Sequence, residues 1–301
     1  MSRLRGTTRR GYADLPWGQV HYRYGGEVGQ PVLLILHQSP LSSATYDAVI
    51  GPLAKRGVRT VAIDTPGFGM SDPPPRPWSI PEYAAAVWQV VDALELPSPY
   101  LLGQHTGAVI GAEAALAAPD RVSGLILQGL PLYDDDERRE KSRSYAPGYV
   151  PGSDGDHLRV IWDRVLGLYP RLTPDEANRQ VGEYLLVGPD YATAYRAVFA
   201  HRLDTAALRA VPTVLLHGGD DLVDRMTTAV RAALPDAPLV IIPGGTDFVA
   251  DEQPEEFAAA VAAQVLGALE PVPGTPDNAP ADRDAPVGTD LRTTTTEGRT
   301  A

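Results

Sequence analysis

The chain has 301 residues, with 26 lysines and arginines against 38 aspartates and glutamates, no cysteine, and a formal net charge of −12 at pH 7. Phosphate neutralisation needs a basic face, so this balance excludes nucleic acid as a partner; the missing thiols exclude a disulfide framework, a thiolate zinc site and a cysteine nucleophile. The charged N-terminus has no apolar stretch behind it and no run of about 18 apolar residues occurs, so the expectation is a cytoplasmic protein with no membrane partner.

In chain order, residues 1–12 are expected to be a flexible N-terminus. Short continuous apolar runs follow at 32–36, 60–63, 100–102, 124–127, 213–216 and 239–242, the length and composition of strands covered on both faces. Helix-period segments lie between them at 42–55, 81–95, 106–118, 223–234 and 254–269. This alternation predicts an α/β protein with a mostly parallel sheet, helices on both faces and right-handed crossovers. One interval breaks the rhythm. Residues 133–207 separate two strands that one helix could join, and the stretches at 154–162 and 190–199 read as helices, so the interval is expected to be a helical lid. The core is then 13–132 with 208–270. Residues 271–301, rich in Pro, Thr, Asp and Gly, cannot bury enough surface to offset their ordering and are expected to be a disordered tail. Only Lys55 and Lys141 among the basic residues are lysines, a skew that points to a high-GC bacterial genome.

Ligands of parallel sheets bind at the carboxyl ends of the strands, so the chemistry is sought there. The junctions read His37-Gln38-Ser39-Pro40, then Asp64-Thr-Pro-Gly-Phe-Gly-Met-Ser-Asp72, then Gly103-Gln104-His105-Thr106-Gly107, then His217-Gly-Gly-Asp220-Asp221, and finally Pro243-Gly-Gly-Thr-Asp247-Phe248. In this order they resemble the α/β-hydrolase superfamily over roughly residues 17–268, and the His-Thr-Gly-Ala at the elbow resembles a nucleophile-serine-less bacterial branch of it. The resemblance implies an oxyanion loop at His37–Pro40 with Gln for Gly, a nucleophile elbow at 103–107, a triad acid at Asp221 and a triad-histidine loop around Asp247.

The departures decide the chemistry. His105 stands where the serine belongs and Asp247 where the histidine belongs. With no hydroxyl at the elbow, Ser-His-Asp esterase chemistry is excluded there. The Asp nucleophile that haloalkane dehalogenases and epoxide hydrolases carry in the elbow is absent too. What remains is an imidazole facing two carboxylates, Asp221 and Asp247, with the backbone N–H groups of Ser39 and Thr106 as the implied oxyanion hole. His105 could attack a carbonyl itself, or serve as general base or acid, which suits its bulk better. Nearby carboxylates favour imidazolium, whereas a helix N-terminus and desolvation favour the neutral ring.

Plainer roles stand beside these. His105 could be a structural histidine in a degenerate elbow, Asp221 an N-cap, with Asp220 competing for either role, and Asp247 a turn residue. His37 and His157 are pocket candidates, though histidines at such positions more often shape a loop or pack; His21 reads as a strand surface residue, and Tyr191 and Tyr195 as one helix face. No dinucleotide or P-loop fingerprint and no metal-ligand spacing occur, so no cofactor and no metal are expected. The expected function is an enzyme, hydrolase or lyase, acting on a small carbonyl-containing substrate by His105-centred chemistry; the alternative is a non-catalytic small-molecule binding protein of the same fold.

Overall fold

In a computed structural model of the chain, residues 8–219 and 227–267 are described. They form an eight-stranded sheet in the order β1-β2-β4-β3-β5-β6-β7-β8, with β1 Arg9–Leu15, β2 Gly18–Gly25, β3 Val32–Leu36, β4 Arg59–Ile63, β5 Tyr100–Gln104, β6 Gly124–Gln128, β7 Thr213–His217 and β8 Leu239–Ile241. The six strands from β4 to β8 run parallel, whereas β1 pairs antiparallel with β2, and β2 antiparallel with β4. The apolar runs locate the parallel strands but not the hairpin, whose residues mix polar with apolar. Residues 9–12, expected within a flexible N-terminus, belong to β1.

Side chains alternate across a strand, so each apolar run feeds two cores. Leu34 and Leu36 of β3 share one with Leu101, Leu125 and Leu127, under helices α2 (Ile80–Ala93) and α3 (Thr106–Ala117). Leu33 and Ile35 share the other with Leu102 and Ile126, under α1 (Asp47–Lys55) and the C-terminal helix at Pro254–Val265. Where one helix is expected over 42–55, a 3-10 turn at Ser43–Tyr46 precedes α1. Ser42 is the reason: its hydroxyl accepts from Ala44 N at 3.2 Å and starts the turn.

Between β6 and β7 the chain forms α4 (Asp135–Ser144), α5 (Asp156–Leu168), α6 (Pro174–Val187), α7 (Thr193–Ala200) and α8 (Thr205–Leu208). Each of the first three begins on a readable signal: Asp134 accepts from Glu137 N, Asp154 from Asp156 N, and Thr173 pairs reciprocally with Glu176. This insertion has its own small core of Ile161, Val165, Ala177, Val181, Tyr184 and Tyr191. The helix expected over 190–199 starts three residues later, after a turn. After β7 come α9 (Thr227–Ala233), α10 (Val249–Glu252) and α11 (Pro254–Val265). No described helix is long and apolar enough to cross a membrane. The tail expected at 271–301 lies outside the described residues.

Candidate active site

Only His105 separates β5 from α3, and its backbone is left-handed, with φ 46° and ψ −107°. Such a conformation costs a non-glycine residue of order 1–3 kcal/mol and persists only where its surroundings impose it. Here two glycines do so. A Cβ on Gly103 would lie 2.2 Å from Gly107 O, and one on Gly107 2.2 Å from Leu36 O, so strand and helix meet this closely only without side chains. The His105 N–H donates to Gln128 O at 3.0 Å, continuing the β5–β6 ladder by one residue. The imidazole projects at the C-terminal edge of the sheet, its side chain 12% exposed.

Its partner comes from the loop between β8 and α10. Thr246 donates from N and Oγ1 to the Glu252 carboxylate at 3.0 and 2.8 Å, and accepts from Phe248 N at 3.1 Å, which closes a tight turn around Asp247. The Gln104 side chain, beside His105 in the elbow, donates to Asp247 O and accepts from Tyr46 Oη at 3.1 Å. Held this way, Asp247 Oδ1 lies 3.1 Å from His105 Nε2, with the carboxylate side chain 4% exposed. The structure therefore brings together His105 and Asp247. Asp221, and Asp220 beside it, lie outside the described residues. Gln104 fills the variable position of the elbow motif, which therefore does not single it out; its signal in the sequence is a polar residue ending an apolar strand on the same face as Leu102.

The loop after β3 forms one wall. His37 Nδ1 donates to Gln38 O at 2.9 Å and Nε2 accepts from Thr65 N at 2.8 Å, so the main chain engages both ring nitrogens. Burial pushes the His37 pKa down, against the pull of the Asp64 charge, and the neutral ring fits these two bonds. His37 thus braces the loop rather than opening onto a pocket. Ser39 precedes a cis proline, and its carbonyl accepts from Tyr195 Oη at 2.6 Å. Thr106 opens α3, and the first N–H groups of a helix have no acceptor within it.

The turn at 64–72 is a strut. Asp64 takes His21 Nδ1, Ser43 N and Met70 N, each at 2.8 Å. Ser71 Oγ donates to Asp64 O at 2.8 Å and accepts from His21 N at 2.9 Å. His21 is consequently buried, 3% exposed, and not the surface residue expected from its strand. The reason is that β2 lies inside the sheet, between β1 and β4.

The insertion touches the loops on both sides of His105. Besides Tyr195, Glu183 of α6 accepts from Ser42 Oγ at 2.9 Å, Arg179 pairs with Asp251 at 3.1 Å, and the Tyr169 ring meets Phe248 edge-on at 4.8 Å. His157 stacks on Tyr149 at 5.7 Å and accepts from Gly152 N at 3.3 Å, so it belongs to the aromatic cluster of the insertion. Two small cavities open beside the sheet, one lined by Val20, Ile63, Tyr83 and Ile110, the other by Leu127, Leu215, His217 and Val230; neither reaches His105.

Comparison with known proteins adds to this geometry. The family model described as alpha/beta hydrolase fold matches residues 31–254. Haloalkane dehalogenase 2 of Mycobacterium tuberculosis is 29% identical over 269 residues, covering 82% of this chain and 92% of that protein. The 2-(acetamidomethylene)succinate hydrolase of Mesorhizobium japonicum is 25% identical over 239 residues, covering 75% and 84%. Among solved structures, a hydrolase from Pseudomonas aeruginosa PA01 superposes with a TM-score of 0.69 at 24% identity, covering 86% of this chain and 98% of that one. Epoxide Hydrolase A from Mycobacterium thermoresistibile does so with a TM-score of 0.69 at 19% identity, covering 88% and 99%. At those identities the two superpositions speak for the fold.

Proposed function

The chain belongs to the alpha/beta hydrolase fold family, and we propose that it is an enzyme acting on a small carbonyl-containing substrate by acid/base chemistry centred on His105. The observation that carries this reading is the 3.1 Å approach of His105 Nε2 to Asp247 Oδ1 at a strained elbow. With Nε2 on the carboxylate, proton transfer falls to Nδ1. Water gives a proton to Nδ1 as its oxygen adds to the carbonyl carbon; the displaced electron pair moves onto the carbonyl oxygen, where the N–H groups of Ser39 and Thr106 receive it. Collapse of that adduct expels the leaving group, which takes the proton back from Nδ1. Asp247 fixes the tautomer and stabilises the transient imidazolium. A lyase needs only that Nδ1 take its proton from the substrate instead of from water. The hydrolase names of the relatives support the first course.

The burial of His105 favours a second reading, a binding protein that keeps the fold without turnover. One experiment separates them. A metabolite pull-down with mass spectrometry identifies the ligand, and its turnover is then compared between the wild type and His105→Ala. The expected loss is about 10²–10⁴-fold, as for a removed general base, with Asp247→Asn also impaired because an amide cannot stabilise imidazolium. Equal turnover in His105→Ala would refute the dyad, and a captured ligand that is never converted would establish the binding protein.

A further inference from the structure

The helical insertion encloses a cation that nothing around it neutralises. Arg164, on α5, donates from Nη1 to Tyr145 O at 2.7 Å, while its Nε and Nη2 are both buried and without a hydrogen-bond partner. No carboxylate among the described residues pairs with it; its surroundings are tyrosines, and the Tyr184 hydroxyl lies against the guanidinium. The guanidinium carbon lies 5.2 Å from the Tyr145 ring centroid and 5.7 Å from that of Tyr191, with Tyr184 and Tyr195 nearby. A charge held inside a protein without a counter-charge is strongly destabilising, and cation–π contacts offset only part of that cost. The unused atoms also form a set. Nε and Nη2 make the edge of a guanidinium that grips a carboxylate with two parallel N–H···O bonds. The main chain has taken the one terminal nitrogen outside that edge.

This aromatic wall leads to the site. The Tyr195 ring meets Tyr145 edge-on at 5.2 Å, and the Tyr195 hydroxyl reaches the Ser39 carbonyl at 2.6 Å. Tyr145 and Tyr149, both half-buried, stand on the non-helical stretch between α4 and α5. We infer that the Nε–Nη2 edge of Arg164 is a carboxylate subsite, and that the substrate is a carbonyl compound carrying a carboxylate on an apolar or aromatic body. The assignment of the carbonyl end rests on the His105 reading above; the carboxylate end rests on Arg164 alone.

The test measures binding, in which His105 takes no part, so its failure leaves the dyad standing and failure of the dyad leaves it standing. Phenylacetate and 4-phenylbutanoate, their uncharged amides, and sulfate are titrated by calorimetry into the wild type, Arg164→Met and Arg164→Lys. The wild type should prefer each acid over its amide by at least about tenfold, and Arg164→Met should lose about 10- to 100-fold for the acids, as for lost hydrogen bonds to a charged group. Arg164→Lys, which keeps the charge but not the fork, should recover little of that loss. Removing an unpaired buried charge should also leave Arg164→Met melting no lower than the wild type. Should that variant fail to fold, the Nε resonance of Arg164 in the wild type decides: it should move with the acids and stay still with the amides. Equal binding of acids and amides, unchanged acid affinity in Arg164→Met, an unmoved Nε resonance, or no acid binding by the wild type at millimolar concentration would each overturn the inference.

Discussion

Burial by itself drives a carboxyl toward its neutral form, and Asp64 is enclosed almost completely. That push is outweighed by the His21 hydrogen bond and the N–H groups of Met70 and Ser43, which bring its pKa down from 3.8 to about 2. The folded state thus holds the ionised form more tightly than the unfolded chain does. The resulting stabilisation is complete above the unfolded value and is lost as pH falls from about 4 toward 2, and it is on the order of 2 kcal/mol. Asp64→Asn should lower the Tm at pH 7 by about 4–8 °C and flatten the acid-dependent loss of stability, checked by thermal melts at pH 7 and pH 3. Variant and wild type melting alike at both would contradict the strut. The elbow itself offers no hydroxyl, so a fluorophosphonate should leave the protein unlabelled by intact mass; stoichiometric labelling at Ser39 or Ser71 would count against a nucleophile-free site. His105 and Asp247 were legible because each fills a slot whose neighbours are glycine, proline or phenylalanine at fixed offsets. His21, Gln104 and Arg164 were not. Their roles depend on partners far away in the chain, and no periodicity announces such partners.

Among the elements, apolar runs of three to five residues identified the parallel strands because both faces of each are covered, and that leaves little room for polar side chains. The β1–β2 hairpin was less visible, since one of its strands is an edge and tolerates a mixed sequence. The insertion was legible as helical, but its ties to the loops were not, because each rests on a single side chain. Tyr195→Phe tests one of them: the ring remains, while the bond to the Ser39 carbonyl is lost. The expected cost is about 0.5–1.5 kcal/mol, with faster amide exchange at Leu41, whose N–H closes the adjacent turn onto Gln38 O. Hydrogen exchange by mass spectrometry over residues 36–46 reads this directly, and an unchanged rate would mean that α7 does not steady the loop.

For the molecule as a whole, the described residues 8–219 and 227–267 fall in one compact unit. Truncation after Glu270 should therefore shift the Tm by less than about 5 °C, measured by calorimetry on both lengths of chain; a larger fall would show that the removed segment docks. Fold class was readable from the whole sequence because the alternation of apolar runs and helix periods survives every substitution at the site. The chemistry was readable only in part, since it lies in which side chains occupy those positions. Four ties of the insertion, at Ser39, Ser42, Phe248 and Asp251, end on the loop after β3 and on the loop and short helix α10 after β8. Those loops stand near opposite ends of the sequence, yet the same helical block fastens both. If the block loosens, the sheet keeps its ladders while both loops lose their support together, so the three segments form one cooperative opening unit distinct from global unfolding. Their amides are then expected to share a single opening free energy, below that of the strands they cover.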